Sequence, residues 1–188
     1  MSHDLALPTE AVNQAKGYAK ALFDIATEKA ILASVYESLL QFHAIFQDAP
    51  EALRVFLSHE EMSGQALEEA ISPFLEQADA WVVKTLKLMF KQEHYAGIPA
   101  LYDAFLPLYE ASQKIGHIQV RSAVDLNPAL RQEIEERLGA IFGLSQVVLH
   151  HQVDAEILGG LYVEYKGLRF DATLKRQLAR FEEALSQV

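Results

Sequence analysis

Apolar residues recur at steps of three and four through the first ~115 residues, the spacing of helices that bury one face. In the first such stretch, opened by Leu7-Pro8-Thr9 with Thr9 as the expected cap, Val12, Ala15, Ala19, Leu22 and Ala26 form one stripe of mostly small residues. Leu32, Val35, Leu39, Phe42 and Phe46 make a second seam, broken at Asp48-Ala49-Pro50 because proline disfavours helix at the preceding residue. A short third helix carries Leu53, Phe56 and Leu57, and a fourth, introduced by Ser63, carries Ala66, Leu67, Ala70, Ile71 and Phe74, with Pro73 near its end. The fifth, from Ala80 to Gln92, holds Trp81, Val82, Leu86, Met89 and Phe90, with Val83 and Leu88 on its flanks. It is apolar around most of its circumference, as expected of a helix with neighbours on several sides. Gly97-Ile98-Pro99 restarts the chain into a sixth helix bearing Leu101, Tyr102, Phe105 and Tyr109, and Pro107 inside that pattern predicts a kink.

Near Gly116 the period changes from helical to alternating. His117–Val124 places Ile118, Val120 and Ser122 on one side, as in a half-buried strand. Asn127-Pro128 opens a helix with Leu130, Ile134, Leu138, Ile141 and Phe142, followed by a β-branched strand from Gln146 to Val153. Gly159-Gly160 is a pivot, since two residues without Cβ accept positive φ. Leu161, Val163 and Tyr165 then alternate with polar neighbours, Lys166-Gly167 turns the chain, and Asp171 is the expected N-cap of a last helix with Leu174, Leu178, Phe181 and Leu185. The predicted fold is mostly α: a six-helix bundle over residues 1–114, then a small α+β domain over 115–188.

Composition narrows the functions open to this chain. Lys and Arg total 16 against 26 Asp and Glu, a net charge of -10, of which -8 falls before residue 115. That balance disfavours nucleic acid and anionic lipid as main partners, because both rely on basic residues to neutralise phosphates. With no cysteine there is no disulfide, thiolate metal site or cysteine nucleophile, consistent with a reducing compartment. MSHDLALPTE has no basic segment followed by an apolar one, as a secretory signal would. No apolar run approaches the ~20 residues that span a bilayer.

Candidate chemistry has a plain structural alternative at almost every position. His150 and His151 lie next to Asp154, yet neighbours on a strand point to opposite faces and do not readily share one ion. Glu60-Glu61 and Glu68-Glu69 are explained by solvation. Gly159-Gly160 leads into a strand, whereas a phosphate-binding loop ends in Lys-Ser or Lys-Thr before a helix. No catalytic, metal or cofactor site is expected. One feature is less easily set aside: beside the small-residue stripe of the first helix, Tyr18, Leu22 and Ile25 form a second apolar stripe. It either packs within the bundle or walls a groove for a foreign amphipathic helix.

The stretch AKGYAKALFDIA (Ala15 to Ala26) and the run VDAEILGGLYVEYKGLRFDATLKRQL, with Val153-Asp154, Ile157-Leu158-Gly159-Gly160, Val163 and Asp171, resemble the delta subunit of bacterial rotary ATP synthase, the oligomycin-sensitivity-conferring protein family. The likeness spans nearly the whole chain, with departures at Thr173, Ala172, Pro107 and Glu93-His94, where the family often has Asn-Arg or Gly-Arg. The resemblance implies a non-catalytic stator subunit that links the top of the alpha/beta hexamer to the peripheral stalk and is tied to the membrane only through the complex. It implies that the first and fifth helices hold the N-terminal helix of an alpha subunit. It further implies that the C-terminal domain meets the b subunits, at the cytoplasmic face of the bacterial plasma membrane. The expected groove residues are Tyr18, Ala19, Leu22, Thr85, Leu88 and Met89, and the motif residues Asp154, Gly159, Gly160 and Asp171 are expected to be structural. Two rival readings remain at this level: a helical regulatory adaptor unrelated to ATP synthesis, and a small enzyme using carboxylates with His117, His150 or His151.

Overall fold

The structure is a computed structural model that describes residues 8–48, 78–157 and 159–173. The chain divides into two compact units, Met1–Tyr109 and Glu110–Val188, a few residues before the boundary expected from the sequence. Among the described residues it is mostly helical with one mixed four-stranded sheet. The expected third and fourth helices and the expected final helix lie outside the described residues.

The first unit contains α1 (Thr9–Glu28), α2 (Leu32–Asp48), α3 (Ala80–Lys91, the fifth helix of the sequence reading), a 3-10 helix over Tyr95–Ala100, and the start of α4 (Leu101–Gln113). The cap of α1 is Pro8 rather than Thr9: the Pro8 carbonyl takes the Val12 N–H at 3.1 Å, and Thr9 is already helical. The buried stripe is Ala11, Ala15, Ala19, Leu22 and Ala26, so Val12 stands one position off the centre of the face and is half-buried. At its end, Ala30 turns left-handed (φ 57°) and the Ile31 N–H reaches the Ala26 carbonyl at 2.9 Å, a Schellman closure without glycine.

Asp79 caps α3, accepting from the Trp81 N–H at 2.8 Å, while its own N–H donates to Ser38 Oγ at 2.9 Å. That bond satisfies the buried Ser38 hydroxyl on α2 and ties the two helices together. Val35, Leu39 and Phe42 from α2, Val82, Leu86, Met89 and Phe90 from α3, and Ile98, Leu101 and Phe105 close the core around the small residues of α1. Each large side chain so buried contributes about 1.5–3 kcal/mol. Gly97 allows the 3-10 segment to lie against α1, since a Cβ there would sit 3.0 Å from the Ala11 carbonyl oxygen. α4 continues as a helix through Pro107, which is exposed. The carbonyl that loses its helical donor belongs to the exposed Asp103, where water can replace it.

In the second unit β1 (Ile115–Ser122) pairs in parallel with β2 (Gln146–Val153), connected across one face by α5 (Pro128–Phe142). β3 (Gly160–Tyr165) pairs antiparallel with β1 and with β4 (Leu168–Thr173), giving the order β2-β1-β3-β4. Gly116, Ile118, Val120 and Ser122 are the buried positions of β1, as the alternation predicts. Asn127 caps α5, accepting from the Leu130 N–H at 2.8 Å, and Gly143 (φ 65°) ends it. Only Ile134 and Leu138 of the expected α5 stripe are buried, while Leu130 and Ile141 are exposed.

Asp171 departs from its expected role. It lies within β4, paired with Tyr162, and the helix expected to follow it lies outside the described residues. Lys166 (φ 47°) and Gly167 (φ 81°) form a two-residue hairpin loop with both residues left-handed, and this type I′ geometry returns the chain along β3. The hairpin thereby draws Leu168–Thr173 into the sheet, Asp171 included.

Candidate functional site

α1 and α3 run antiparallel, as two contacts at their ends show. The Tyr18 hydroxyl meets His94 Nδ1 at 2.9 Å beyond the C-terminal end of α3, and Lys29 Nζ lies 5.3 Å from the centre of the Trp81 ring at its N-terminal end. With both buried stripes filling the core, each helix is left with a flank of half-buried side chains: Tyr18 and Ile25 on α1, Trp81 and Thr85 on α3. Leu88 continues the α3 flank and is 47% exposed. The Thr85 hydroxyl donates to the Trp81 carbonyl at 2.8 Å, so its polar group is committed to its own helix. The result is a mainly apolar seam.

The six expected groove residues separate cleanly. Tyr18, Thr85 and Leu88 are on the accessible seam, whereas Ala19, Leu22 and Met89 are sealed in the core at 0%, 1% and 0% exposure. Those three hold α1 and α3 together and cannot touch a docked helix without unfolding the bundle; the groove assignment for them is corrected. Near the start of α1, a cavity of about 310 Å³ opens between α1 and the turn and 3-10 segment that follow α3, lined by Glu10, Ala11, Gln14, Gln92, Glu93 and His94 among others.

The second unit carries two side-chain clusters. Ser122 Oγ lies 2.7 Å from His151 Nε2, and His151 Nδ1 lies 3.4 Å from Asp125 Oδ1, the order of a nucleophile, base and orienting acid. Ser122 is buried, however, and its hydroxyl donates to the Val124 carbonyl at 2.6 Å. A hydroxyl already donating to a carbonyl does not pass its proton to the imidazole, and a buried Oγ meets no substrate. The trio braces β1, β2 and the turn into α5. His117 bridges Glu110 Oε1 (2.8 Å) and His150 Nε2 (3.0 Å), with the two imidazoles stacked. His150 and His151 thus have separate partners on opposite faces of β2, and no group of three or more His, Asp or Glu among the described residues is placed to hold a metal.

Asp154, Gly159 and Gly160 of the motif lie just after β2 and at the entry to β3. Asp154 accepts from the Glu156 N–H at 3.0 Å and from Arg121 Nη1 at 3.4 Å, while its N–H donates to the Ser122 carbonyl, locking the end of β2 against β1. Gly159 and Gly160 hold φ values of 154° and 86° at the entry to β3.

The family model described as ATP synthase delta (OSCP) subunit matches residues 15–185. The chain belongs to that family. The delta subunit of ATP synthase from Lactiplantibacillus plantarum is 29% identical over 91% of this chain and 94% of its own. The delta subunit from Staphylococcus saprophyticus is 26% identical over 94% and 98%. A chain in the Toxoplasma gondii mitochondrial ATP synthase hexamer superimposes with a TM-score of 0.62 at 18% identity, over 91% of this chain and 96% of that one, a likeness of fold. As a member of the delta (OSCP) family the protein is a non-catalytic component of the ATP synthase stator, the peripheral stalk of the complex. No helix among the described residues is long and apolar enough to cross a membrane.

Family membership gives the Glu93-His94 departure a physical meaning. Glu93 is left-handed (φ 59°) just past the end of α3, with the His94 N–H closing onto the Met89 carbonyl at 2.9 Å. This position favours Gly or Asn, the residues the resemblance leads one to expect there. His94 in turn holds Tyr18, a partnership across 76 residues that helical periodicity does not reveal.

Proposed function

We propose that the seam between α1 and α3 holds the N-terminal helix of an alpha subunit of the catalytic hexamer, and that the C-terminal unit meets the b subunits of the peripheral stalk. In this reading the protein works at the cytoplasmic face of the bacterial plasma membrane. Its N-terminal domain, residues 1–114, is a six-helix bundle once the two helices predicted between α2 and α3 are included, and residues 115–188 form the stalk-facing domain.

The observation that carries the proposal is the row Tyr18, Ile25, Trp81, Thr85 and Leu88, left accessible after both helices have filled their own core. An amphipathic helix laid along it would bury apolar surface on three sides. A stator must resist torque continuously, so slow dissociation matters more than rapid encounter, and burial of central apolar anchors supplies it. One anchor is worth ~2 kcal/mol or more, about thirtyfold in Kd.

Titrating the protein with a synthetic peptide of the alpha N-terminal helix, followed by calorimetry, tests this. Tyr18→Glu and Leu88→Glu should each weaken binding by at least tenfold while leaving the far-UV dichroism unchanged, since both side chains reach the surface. Binding that survives both changes at full strength refutes the seam as the docking site.

A further inference from the structure

We propose that His117 Nδ1 and His150 Nε2 form a surface site for one zinc ion, with Glu110 holding His117 in the tautomer that coordinates it. All three residues belong to the second unit, and the site does not depend on the docking proposed above.

The sheet brings the two imidazoles to one face. Gly116, Ile118, Val120 and Ser122 are the buried positions of β1, so His117 and Gln119 project from the opposite side. In the parallel register Gln119 lies opposite His150, which sets His150 diagonally from His117 on that same side. The two ring nitrogens meet at 3.0 Å, and both side chains are open to solvent, His117 at 46% exposure. A carboxylate only accepts, so Glu110 Oε1, at 2.8 Å, takes the N–H of His117 Nε2 and leaves the Nδ1 lone pair facing His150.

This arrangement matches what zinc asks of histidine. A zinc-bound imidazole donates its other N–H to a carboxylate or carbonyl, the part Glu110 plays here. Two nitrogens at zinc's usual bond length and a tetrahedral angle stand ~3.3–3.4 Å apart, so the pair has to open by only ~0.3–0.4 Å. Exposed rings accommodate that by small rotations. On binding, the His150 proton passes through water from Nε2 to Nδ1 of the same ring. One N–H···N bond is thereby exchanged for two N–Zn bonds with no net proton released. Glu110 sits on the far nitrogen of His117 and His151 points to the other face of β2, so water fills the remaining positions. Imidazole nitrogens suit zinc, whereas magnesium and calcium need oxygen donors. The ion would tie β1 to β2, which ends the sheet, and so stabilise the folded unit.

Calorimetric titration of the full chain with zinc chloride tests the site. One equivalent should bind, and both His117→Ala and His150→Gln should abolish it. Gln can still donate a hydrogen bond to Nδ1 but is a poor zinc ligand, so its failure separates coordination from structural support. Glu110→Gln should weaken binding about tenfold or more. Nitrogen NMR of the histidine rings should show zinc moving the Nδ1 resonance of His117 and the Nε2 resonance of His150, with Nε2 of His117 staying protonated. No binding by the unmodified protein, or full-strength binding by either histidine variant, overturns the site. Unchanged affinity in Glu110→Gln overturns the role given to the carboxylate.

Discussion

Gly17 and Gly97 offer the same one-methyl change in opposite surroundings. Gly17 lies in the interior of α1, is exposed, and a Cβ built there meets nothing within 4 Å. Ala at that position removes the backbone entropy penalty of glycine in a helix and should stabilise the first unit by about 0.8–1 kcal/mol. At Gly97 the new methyl would lie 3.0 Å from the Ala11 carbonyl oxygen and 3.4 Å from Met89 Cε. The methionine tip can move; the carbonyl belongs to the buried Ala11 in the first turn of α1 and can yield only if the helix shifts. Overpacking of this kind costs about 1–3 kcal/mol. The two variants should therefore differ by about 2–4 kcal/mol. Urea unfolding followed by the emission of Trp81 reports the unit that contains both glycines. With a slope of about 1–3 kcal/mol per molar urea, Gly17→Ala should raise the midpoint by about 0.3–1 M and Gly97→Ala should lower it by about 0.3–3 M. A Gly97→Ala midpoint equal to or above that of the unmodified protein would show that α1 is not held against the 3-10 segment as described.

Other changes probe separate parts of the fold. Leu86→Ala, at a fully buried position of α3, should cost about 2–5 kcal/mol by the same Trp81 measurement, whereas Leu88→Ala two residues on should cost far less. Tyr18→Phe deletes the bond to His94 and should lower stability by about 0.5–1.5 kcal/mol, and a value near zero would mean that the bond adds nothing in water. Glu93→Gly relieves a left-handed residue and should raise stability by about 0.5–1 kcal/mol; a loss would indicate that the Glu93 side chain outweighs the backbone strain. Asn127→Ala removes the cap of α5 and should cost about 1 kcal/mol, read from thermal unfolding by far-UV dichroism.

Local spacing carried much of this structure. The stripes of α1, α2 and α3, the alternation of β1, and the Asn-Pro opening of α5 are all short-range patterns, and each formed the element it predicts because burial of one face rewards one period. The VD and GG motif is likewise short-range: Asp154 accepts from the Glu156 N–H just after β2, and Gly159 and Gly160 carry positive φ at the entry to β3. Errors arose where the outcome depends on a distant segment. Asp171 has the credentials of a helix cap, but a hairpin with β3 recruited it into a strand. Ala19, Leu22 and Met89 lie on the main apolar faces with Tyr18, Thr85 and Leu88 beside them, and periodicity does not say how far the burial extends from one to the other.

Which of them end up inside is set by how α1 and α3 rotate against one another, and that rotation is fixed by contacts remote in sequence: Tyr18 with His94, Lys29 with Trp81, Gly97 against Ala11. The amino-acid pattern thus dictated the elements and their greasy faces, because those depend on residues three or four apart. The folded arrangement chose which faces were consumed by the core and which were left for a partner, because burial is a property of neighbours in space.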